Sequence, residues 1–311
     1  MKKLITRASS INRALDEVGD KWCLLIIQEV FWGTNSFNEM MAATGVSRGV
    51  LSNRLKWLQS VDCIQLKPNR EGGKRMRYHL TKKSIDLYEN ALMAIAWERR
   101  FFHTPQLDQV AFNHVKCGQE FTPELRCRHC DELVLPFCVD YKPGPGAAWD
   151  EREMKVRRRS SISVEAVPSK RMLYKNLINI VGDRWTGNIL ALSFHGSTRF
   201  DQFHAELPVA TNILSSRLKF LVGQDIFEQK EYQQNPRRYE YKLTKKGKEF
   251  FPYFQTLLQW GDKWCDTGNG KPMLLIHRNC GKTLHGQVCC SECGGRLKAR
   301  EVNFSERYRA S

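Results

Sequence analysis

No stretch of this chain approaches the ~18 consecutive apolar residues that a membrane-spanning helix needs. The opening Met1-Lys2-Lys3-Leu4-Ile5-Thr6-Arg7 has no apolar signal core behind its charges. Membrane insertion and secretion are therefore not expected, and a cytoplasmic, nucleoid-associated location is. Catalytic motifs are missing too. There is no Gly-x4-Gly-Lys-Ser/Thr phosphate loop, no Gly-x-Gly-x2-Gly after a strand, no His-Glu-x2-His and no Gly-x-Ser-x-Gly elbow. No spacing brings the scattered Ser, His and Asp residues together, so an enzyme is not expected. Acid is scarce: 33 Asp+Glu face 49 Lys+Arg, a formal charge of +16 over 311 residues. That surplus suits a polyanionic partner. What is present is enough apolar side chain, 41% of residues, to exclude wholesale disorder. The length implies more than one core. Eleven cysteines in a chain expected to be cytoplasmic point to reduced thiols or metal ligands before disulfides.

The chain repeats itself at an offset of 163 residues. Gly19-Asp20-Lys21-Trp22 returns as Gly182-Asp183-Arg184-Trp185. The same offset carries Phe37 onto Phe200, Leu51-Ser52 onto Leu214-Ser215, and Arg54-Leu55-Lys56 onto Arg217-Leu218-Lys219. It carries Leu80-Thr81-Lys82-Lys83 onto Leu243-Thr244-Lys245-Lys246, Trp97 onto Trp260, and His114, Cys117, Cys127 and Cys130 onto His277, Cys280, Cys290 and Cys293. One register held without a gap from residue 19 to 130 is a tandem duplication. Between the copies, Tyr141-Lys142-Pro143-Gly144-Pro145-Gly146 and the basic run Arg157-Arg158-Arg159 show no apolar period, which predicts a linker over 141–168.

Within the first copy, Ile11 to Val18 ends a first helix and Trp22 to Phe31 forms a second. Ser36, with Glu39 three residues on, opens a third through a capping box. Ser47 caps a fourth over Arg48 to Ser60. Cys63 to Lys67 and Arg75 to Leu80 read as a hairpin, and Thr81 caps one long helix to about Phe102. Three helices, a hairpin and a helix define a winged helix-turn-helix.

On a 100° wheel, Leu51, Leu55 and Leu58 fall within about 60° of one another and form the buried stripe of the fourth helix. Gly49, Ser52, Asn53 and Lys56 occupy the opposite face; the second copy has Asn212, Ser215, Ser216 and Lys219 there. Small polar residues with one Lys and no bulky acid suit entry into a major groove, where Ser and Asn bond base edges and Lys reaches guanine or phosphate. Ser47, Arg48 and Thr211 extend this face to the helix starts. Lys74-Arg75 and Arg237-Arg238, just before each returning strand, are placed for backbone or minor-groove contact. Arg54 and Arg217, on the flank, suit phosphate contact or internal packing equally. Tyr78, Tyr241 and the tryptophans at 22, 97, 185 and 260 read as packing residues.

These residues resemble the HxlR-type winged helix regulators. The resemblance rests on Gly-Asp-Lys-Trp opening an apolar helix, Gly-x3-Phe, Leu-Ser-x-Arg-Leu-Lys-x-Leu, and a basic hairpin ending in Tyr-x-Leu-Thr. It covers about residues 10–103 and 173–266. It implies a DNA-binding transcription factor that pairs through its first and last helices. The first copy departs from the family pattern with Asn35-Ser36 before Phe37, where a basic residue is usual; the second keeps Arg199.

After each last helix comes His-x2-Cys, nine residues, and Cys-x2-Cys: His114, Cys117, Cys127 and Cys130, then His277, Cys280, Cys290 and Cys293. Two chelating pairs joined by a loop match a tetrahedral Cys3His zinc ribbon, which leaves no open coordination position for catalysis. Each tail is thus expected to hold one structural Zn2+. By the resemblance, a longer-tailed subset of HxlR-type proteins carries a similar tail. Cys23, Cys63, Cys138, Cys265 and Cys289 lie outside the pattern. Cys138 or Cys289 could stand in for a neighbouring ligand, and His129 and His285 read as solvated.

The expected fold is mainly α with small β-hairpins (α+β). The order is winged helix 1 (1–112), tail 1 (113–140), linker (141–168), winged helix 2 (169–275) and tail 2 (276–303). The expected function is a sequence-specific regulator that binds double-stranded DNA as a covalent pseudo-dimer on an imperfect palindrome, because Gly49 versus Asn212 and Asn53 versus Ser216 differ between the copies. Pairing within the chain and pairing as a homodimer are both open. The alternative is a docking scaffold of the transcription machinery. Structured RNA is disfavoured because the basic faces lack stacking aromatics.

Overall fold

The computed structural model describes residues 3–68, 75–103, 105–153 and 173–306. The first strand, β1 (Lys3–Arg7), leads into α1 (Ser10–Val18). Helix α2 (Lys21–Phe31) begins where the Asp20 carboxylate, on extended backbone, accepts the amides of Trp22 and Cys23. Helix α3 (Phe37–Thr44) has the expected Ser36–Glu39 capping box and stops at Gly45, whose φ of 64° needs no Cβ. Helix α4 (Arg48–Ser60) starts at Ser47, and the hairpin β2 (Ile64–Pro68) and β3 (Met76–Leu80) pairs Ile64 opposite Leu80.

The long helix expected from Thr81 is in fact two. Helix α5 (Lys82–Ile85) is a single turn capped by Thr81, and α6 (Tyr88–Phe101) follows it. The break is a tightened turn in which the Leu87 amide bonds the Ser84 carbonyl three residues back. Helix α7 (Pro105–Asp108), strands β4 (Val110–His114) and β5 (Pro123–Cys127), a one-turn 3-10 segment at Pro136–Cys138, and strands β6 (Val139–Pro143) and β7 (Trp149–Glu153) complete the first half.

The second half repeats the pattern. It runs α8 (Lys175–Val181), α9 (Arg184–Phe194) capped by Asp183, α10 (Phe200–Glu206) and α11 (Thr211–Gly223). Strands β8 (Phe227–Gln234) and β9 (Arg237–Leu243) form its hairpin, followed by α12 (Lys245–Lys248) and α13 (Phe251–Trp264). Strands β10 (Met273–His277), β11 (Lys282–Thr283), β12 (Gly286–Cys290) and β13 (Val302–Glu306) form its tail. No helix among the described residues is long and apolar enough to cross a membrane.

The chain divides into two compact units whose segments interleave along the sequence, unlike the five successive segments read from it. The first-wing unit takes residues 15–68, 75–103, 105–123, 173–182 and 289–306. The second-wing unit takes 3–14, 124–153 and 183–288. Each winged helix is thus completed by pieces of the other repeat.

In the first-wing unit, Trp22, Leu25, Ile26, Leu51, Leu55, Leu58, Leu92 and Trp97 are almost fully buried. Helix α8, from the second repeat, adds Leu177, Ile178 and Ile180 to this core. Its first turn is held by the buried Glu98 of α6, whose carboxylate accepts the Asn176 and Leu177 amides at 3.0 and 2.9 Å, satisfying donors that a helix start leaves open. Strand β13 pairs antiparallel with β4, from Val302 opposite His114 to Glu306 opposite Val110. Phe304 of β13 meets Phe112 edge-on at 5.0 Å and Trp32, at the end of α2, at 6.3 Å.

The second-wing unit mirrors this. Strand β6 pairs with β10, from Val139 opposite His277 to Pro143 opposite Met273, and β11 lies on the other side of β10. Tyr141, equivalent to Phe304, packs edge-on against His195, equivalent to Trp32, at 4.8 Å. The Ser10 hydroxyl donates to Asp262 at 2.6 Å beside Gly261, where a Cβ would collide with the Ser10 carbonyl.

Residues 139–143 and 149–153, largely within the stretch read as linker, are strands, and β7 pairs with β1. The Pro-Gly-Pro-Gly sequence that suggested irregular structure serves a close backbone approach instead. The Gly144 and Gly146 amides bond the Pro272 and Lys271 carbonyls at 3.0 Å, and a Cβ at either glycine would overlap a carbonyl oxygen. The rest of that stretch, with Arg157-Arg158-Arg159, lies outside the described residues.

Candidate nucleic-acid interface and metal centres

In α4 the leucine stripe is buried as the wheel requires: Leu51, Leu55 and Leu58 are at most 2% exposed. Ser47, Arg48, Gly49, Asn53 and Lys56 are exposed and Ser52 is half-buried. In α11 Leu214, Leu218 and Leu221 are sealed inside, while Thr211, Asn212, Ser215, Ser216 and Lys219 are exposed. The starts differ. The Ser47 hydroxyl accepts the Val50 amide at 3.5 Å, whereas Ala210 offers no side-chain cap. Arg48 lies over the Phe37 ring at 5.5 Å, which holds its charge at the mouth of the helix.

In the hairpins, Arg75, Arg237 and Arg238 are exposed, and Lys74 lies outside the described residues. Arg237 reaches Glu231 at 3.5 Å on the facing strand. Behind the first hairpin, Arg77 donates to Glu39 of α3 at 3.0 Å and holds that carboxyl below the usual carboxylate range. Behind the second, Arg199 lies over Tyr232 at 5.6 Å, so a guanidinium stands where the first repeat has Ser36. Tyr78 and Tyr241 are half-buried, and burial pushes both phenols up.

Arg54 and Arg217 are internal. Arg54 grips Asp20 with two bonds at 2.8 and 2.9 Å, and Arg217 grips Asp183 at 2.9 Å. The same aspartates cap α2 and α9, so one carboxylate fixes the start of one helix and the flank of the next. Sequence reasoning missed this double duty, although the doubled Gly-Asp-Lys/Arg-Trp signature contained it.

The eight expected metal ligands gather into two clusters, but the partition differs from the expected one. His114 and Cys117 meet Cys290 and Cys293 in the first-wing unit; Cys127 and Cys130 meet His277 and Cys280 in the second-wing unit. Each cluster takes one chelating pair from each repeat, and neither tail forms a ribbon alone. Within each cluster all four ligand atoms lie within 4.8 Å of one another. His114 Nδ1 is 3.2 Å from Cys293 Sγ and 3.5 Å from Cys117 Sγ, and Cys117 Sγ is 3.9 Å from Cys290 Sγ. His277 Nδ1 is 3.3 Å from Cys130 Sγ and 3.6 Å from Cys280 Sγ, and Cys127 Sγ is 4.0 Å from Cys280 Sγ.

A tetrahedral zinc with ordinary Zn–S and Zn–N bonds has edges of about 3.5–3.8 Å, so these separations fit that ion. The turns fit as well. Gly118, Gly281 and Gly294 have φ of 71°, 67° and 67°, and Asp131 takes the fourth such position at 59°. At each turn the amide bonds the carbonyl four residues back. The Lys282 and Gly295 amides aimed at Cys280 and Cys293 are the foremost cause holding those thiols below their usual range. Both histidine rings are fully buried. The clusters could each hold a metal ion.

Cys138 and Cys289 are in neither cluster. Burial pushes the Cys63 thiol up to about 12, which makes it inert, and Cys23 has no exposed surface. His129 and His285 face each other at 5.7 Å.

The model of the HxlR-like helix-turn-helix family matches residues 17–105 and 180–269, more than half of the chain. The chain therefore belongs to the HxlR-like helix-turn-helix family, as the sequence motifs implied. It is similar to an uncharacterised HTH-type transcriptional regulator of Mycobacterium tuberculosis, 38% identical over 125 residues that make up 40% of this chain and 79% of the relative. It is also similar to the HTH-type transcriptional regulator YodB of Bacillus subtilis, 29% identical over 96 residues, 30% of this chain and 86% of YodB. Among solved structures, a candidate transcription factor of Pseudomonas aeruginosa is 27% identical and covers 44% of this chain and 92% of its own, at a TM-score of 0.33. Diamide-treated YodB covers 30% of this chain and 93% of its own, at 29% identity and a TM-score of 0.26. The family is one of transcription regulators, and its members support a DNA-binding role for this chain.

Proposed function

We propose that the protein is a sequence-specific, non-catalytic DNA-binding regulator of the nucleoid in which two winged helices of one chain act as a covalent pseudo-dimer. Helices α4 and α11 enter successive major grooves about one helical turn apart. Gly49, Ser52, Asn53 and Lys56 read one half-site; Asn212, Ser215, Ser216 and Lys219 read the other. Ser47, Arg48 and Thr211 contact the duplex at the helix starts, and Lys74, Arg75, Arg237 and Arg238 contact backbone or minor groove from the hairpins. The observation that carries this reading is the acid-free outer face present in both repeats over a fully buried leucine stripe. Since the two faces differ, the operator is an imperfect palindrome.

A structural Zn2+ in each Cys3His cluster completes the proposal. A tail of this size buries too little apolar surface to hold its shape alone, and four protein ligands leave no open position on the metal.

Selection of binding sequences from random duplexes tests the operator: two related but unequal half-sites are expected, and a perfectly symmetric site would refute unequal readout. Affinity should fall steeply with salt. Protein docking is favoured by one observation, the exposed Leu133, Leu135 and Phe137, the last 66% accessible. Affinity for duplex DNA that does not respond to salt or to loss of Lys219 and Arg238 would decide for docking.

A further inference from the structure

The crossed partition of the metal ligands has a consequence for which repeat each tail serves. Cys290 and Cys293 belong to the second repeat by sequence, yet the segment that carries them is packed in the first-wing unit. There Arg296 binds Glu89, in the first turn of α6, at 2.7 Å. The Ser291 amide bonds the Thr122 carbonyl, and the Val115 amide bonds the Glu301 carbonyl at 2.8 Å. Lys116 pairs with Glu301 at 3.1 Å, and Phe304 fills the space between Phe112 and Trp32.

The second-wing unit holds the reciprocal set. Arg278 binds Asp140 at 2.6 Å, and the Arg278 amide bonds the Cys138 carbonyl at 2.9 Å. Asn279 bonds Glu132, and Tyr141 lies against His195. The tail residues 290–306 thus brace the unit containing α4, and residues 127–143 brace the unit containing α11.

We infer that each zinc ties the Cys-x2-Cys pair of one repeat to the winged helix of the other: loss of a cysteine from Cys290/Cys293 loosens α4, and loss of one from Cys127/Cys130 loosens α11. This rests on the zinc assignment above and extends it. The two ligand pairs of each site lie far apart in sequence: 173 residues separate Cys117 from Cys290, and 147 separate Cys130 from His277. A metal joining such distant pairs closes a long loop. Like a long-range crosslink, it removes more freedom from the unfolded chain than a knuckle closed within one tail. The metal then stabilises the element its ligands are packed on, and Glu89 of α6 and Trp32 of α2 belong to the body that carries α4.

The experiment uses the full chain, purified with zinc, and two variants, Cys290→Ser and Cys130→Ser. Zinc content is measured together with amide hydrogen exchange resolved along the chain. The wild type should hold two zinc ions and each variant one. In Cys290→Ser, protection should fall roughly tenfold or more in α4 and α6 and hold in α11 and α13. In Cys130→Ser the pattern should invert. Loss in α11 rather than α4 for Cys290→Ser, equal loss in both helices, or no loss in either would overturn the inference.

Zinc stoichiometry of double variants separates this from the zinc assignment. Removing Cys117 and Cys290 together should leave one zinc, and removing Cys117 and Cys127 should leave none. The reverse result would restore ribbons within each tail and sink the crossing while leaving the metal intact. A wild type without zinc would sink the metal assignment itself.

Discussion

The two repeats share a register but not a surface. In the first, the hairpin arginine nearest α3, Arg77, is neutralised by Glu39, and Ser36 stands at the start of that helix. In the second, the same start carries Arg199, and the hairpin exposes Lys230, Arg237 and Arg238. Their interiors differ as well: Arg54 is enclosed and bidentate on Asp20, while Arg217 is more exposed and makes one bond to Asp183. Duplication preserved the helices and their leucine stripe, which packing dictates, and let the charged rim diverge. The first repeat is the better clamped, and the second places a guanidinium where the first has a serine.

That contrast can be broken most forcefully at the internal ion pairs. Arg54→Ala leaves the Asp20 carboxylate partly buried without its partner and should cost about 2–4 kcal/mol, while Arg217→Ala, in a wetter setting, should cost about 1. Urea unfolding followed by exchange in each unit measures both, and equal costs would erase the distinction.

A second, smaller asymmetry concerns phosphate contact. Removing Lys219 and Arg238 should weaken duplex binding about tenfold or more and lower the slope of log affinity against log salt by about 2. Removing Lys56 and Arg75 should do less. Titrations at several salt concentrations check this, and larger losses in the first repeat would reverse the ranking.

The third contrast is pH. His195 sits where the first repeat has Trp32, and burial pushes its pKa down to about 4 from 6.5. The unfolded chain takes up that proton near 6.5 and the folded chain only near 4. Between these values acid favours unfolding, and stability falls as the pH drops through that window. Because the residue as a whole is only half-buried, the effect should stay below about 2 kcal/mol. His195→Phe should flatten the slope measured by thermal unfolding between those pH values.

Smallest is the helix cap. Ser47→Ala should cost roughly 0.5–1 kcal/mol, and Ala210→Ser should return a similar amount to α11. Thermal shifts of the two variants in opposite directions would confirm it.

Much of this was legible in the sequence because it is local. The bounds of α4, the capping box at Ser36 and Glu39, and the buried Leu51–Leu55–Leu58 stripe follow from spacing alone. The metal ligands were legible as a set but not as a partition. In a duplicated chain, His-x2-Cys of one copy is chemically identical in role to that of the other, so spacing cannot say which Cys-x2-Cys it meets. The strands flanking Pro143 to Gly146 were hidden because the glycines that permit the backbone approach also look like a linker. Arg54 was ambiguous because its partner, Asp20, lies 34 residues away, beyond the reach of a helix wheel.

The reciprocal bracing bears on the order in which the molecule can be made. A ribosome releases α2 through α6 early, but residues 173–182, which help finish that body, come only in mid-chain, and residues 289–306 come later still. That body must therefore wait, unfinished, until the tail of the second repeat has emerged, and a product terminated before it would carry two half-filled thiol pairs and exposed strand edges. The interleaving thus favours completion of that body late in synthesis.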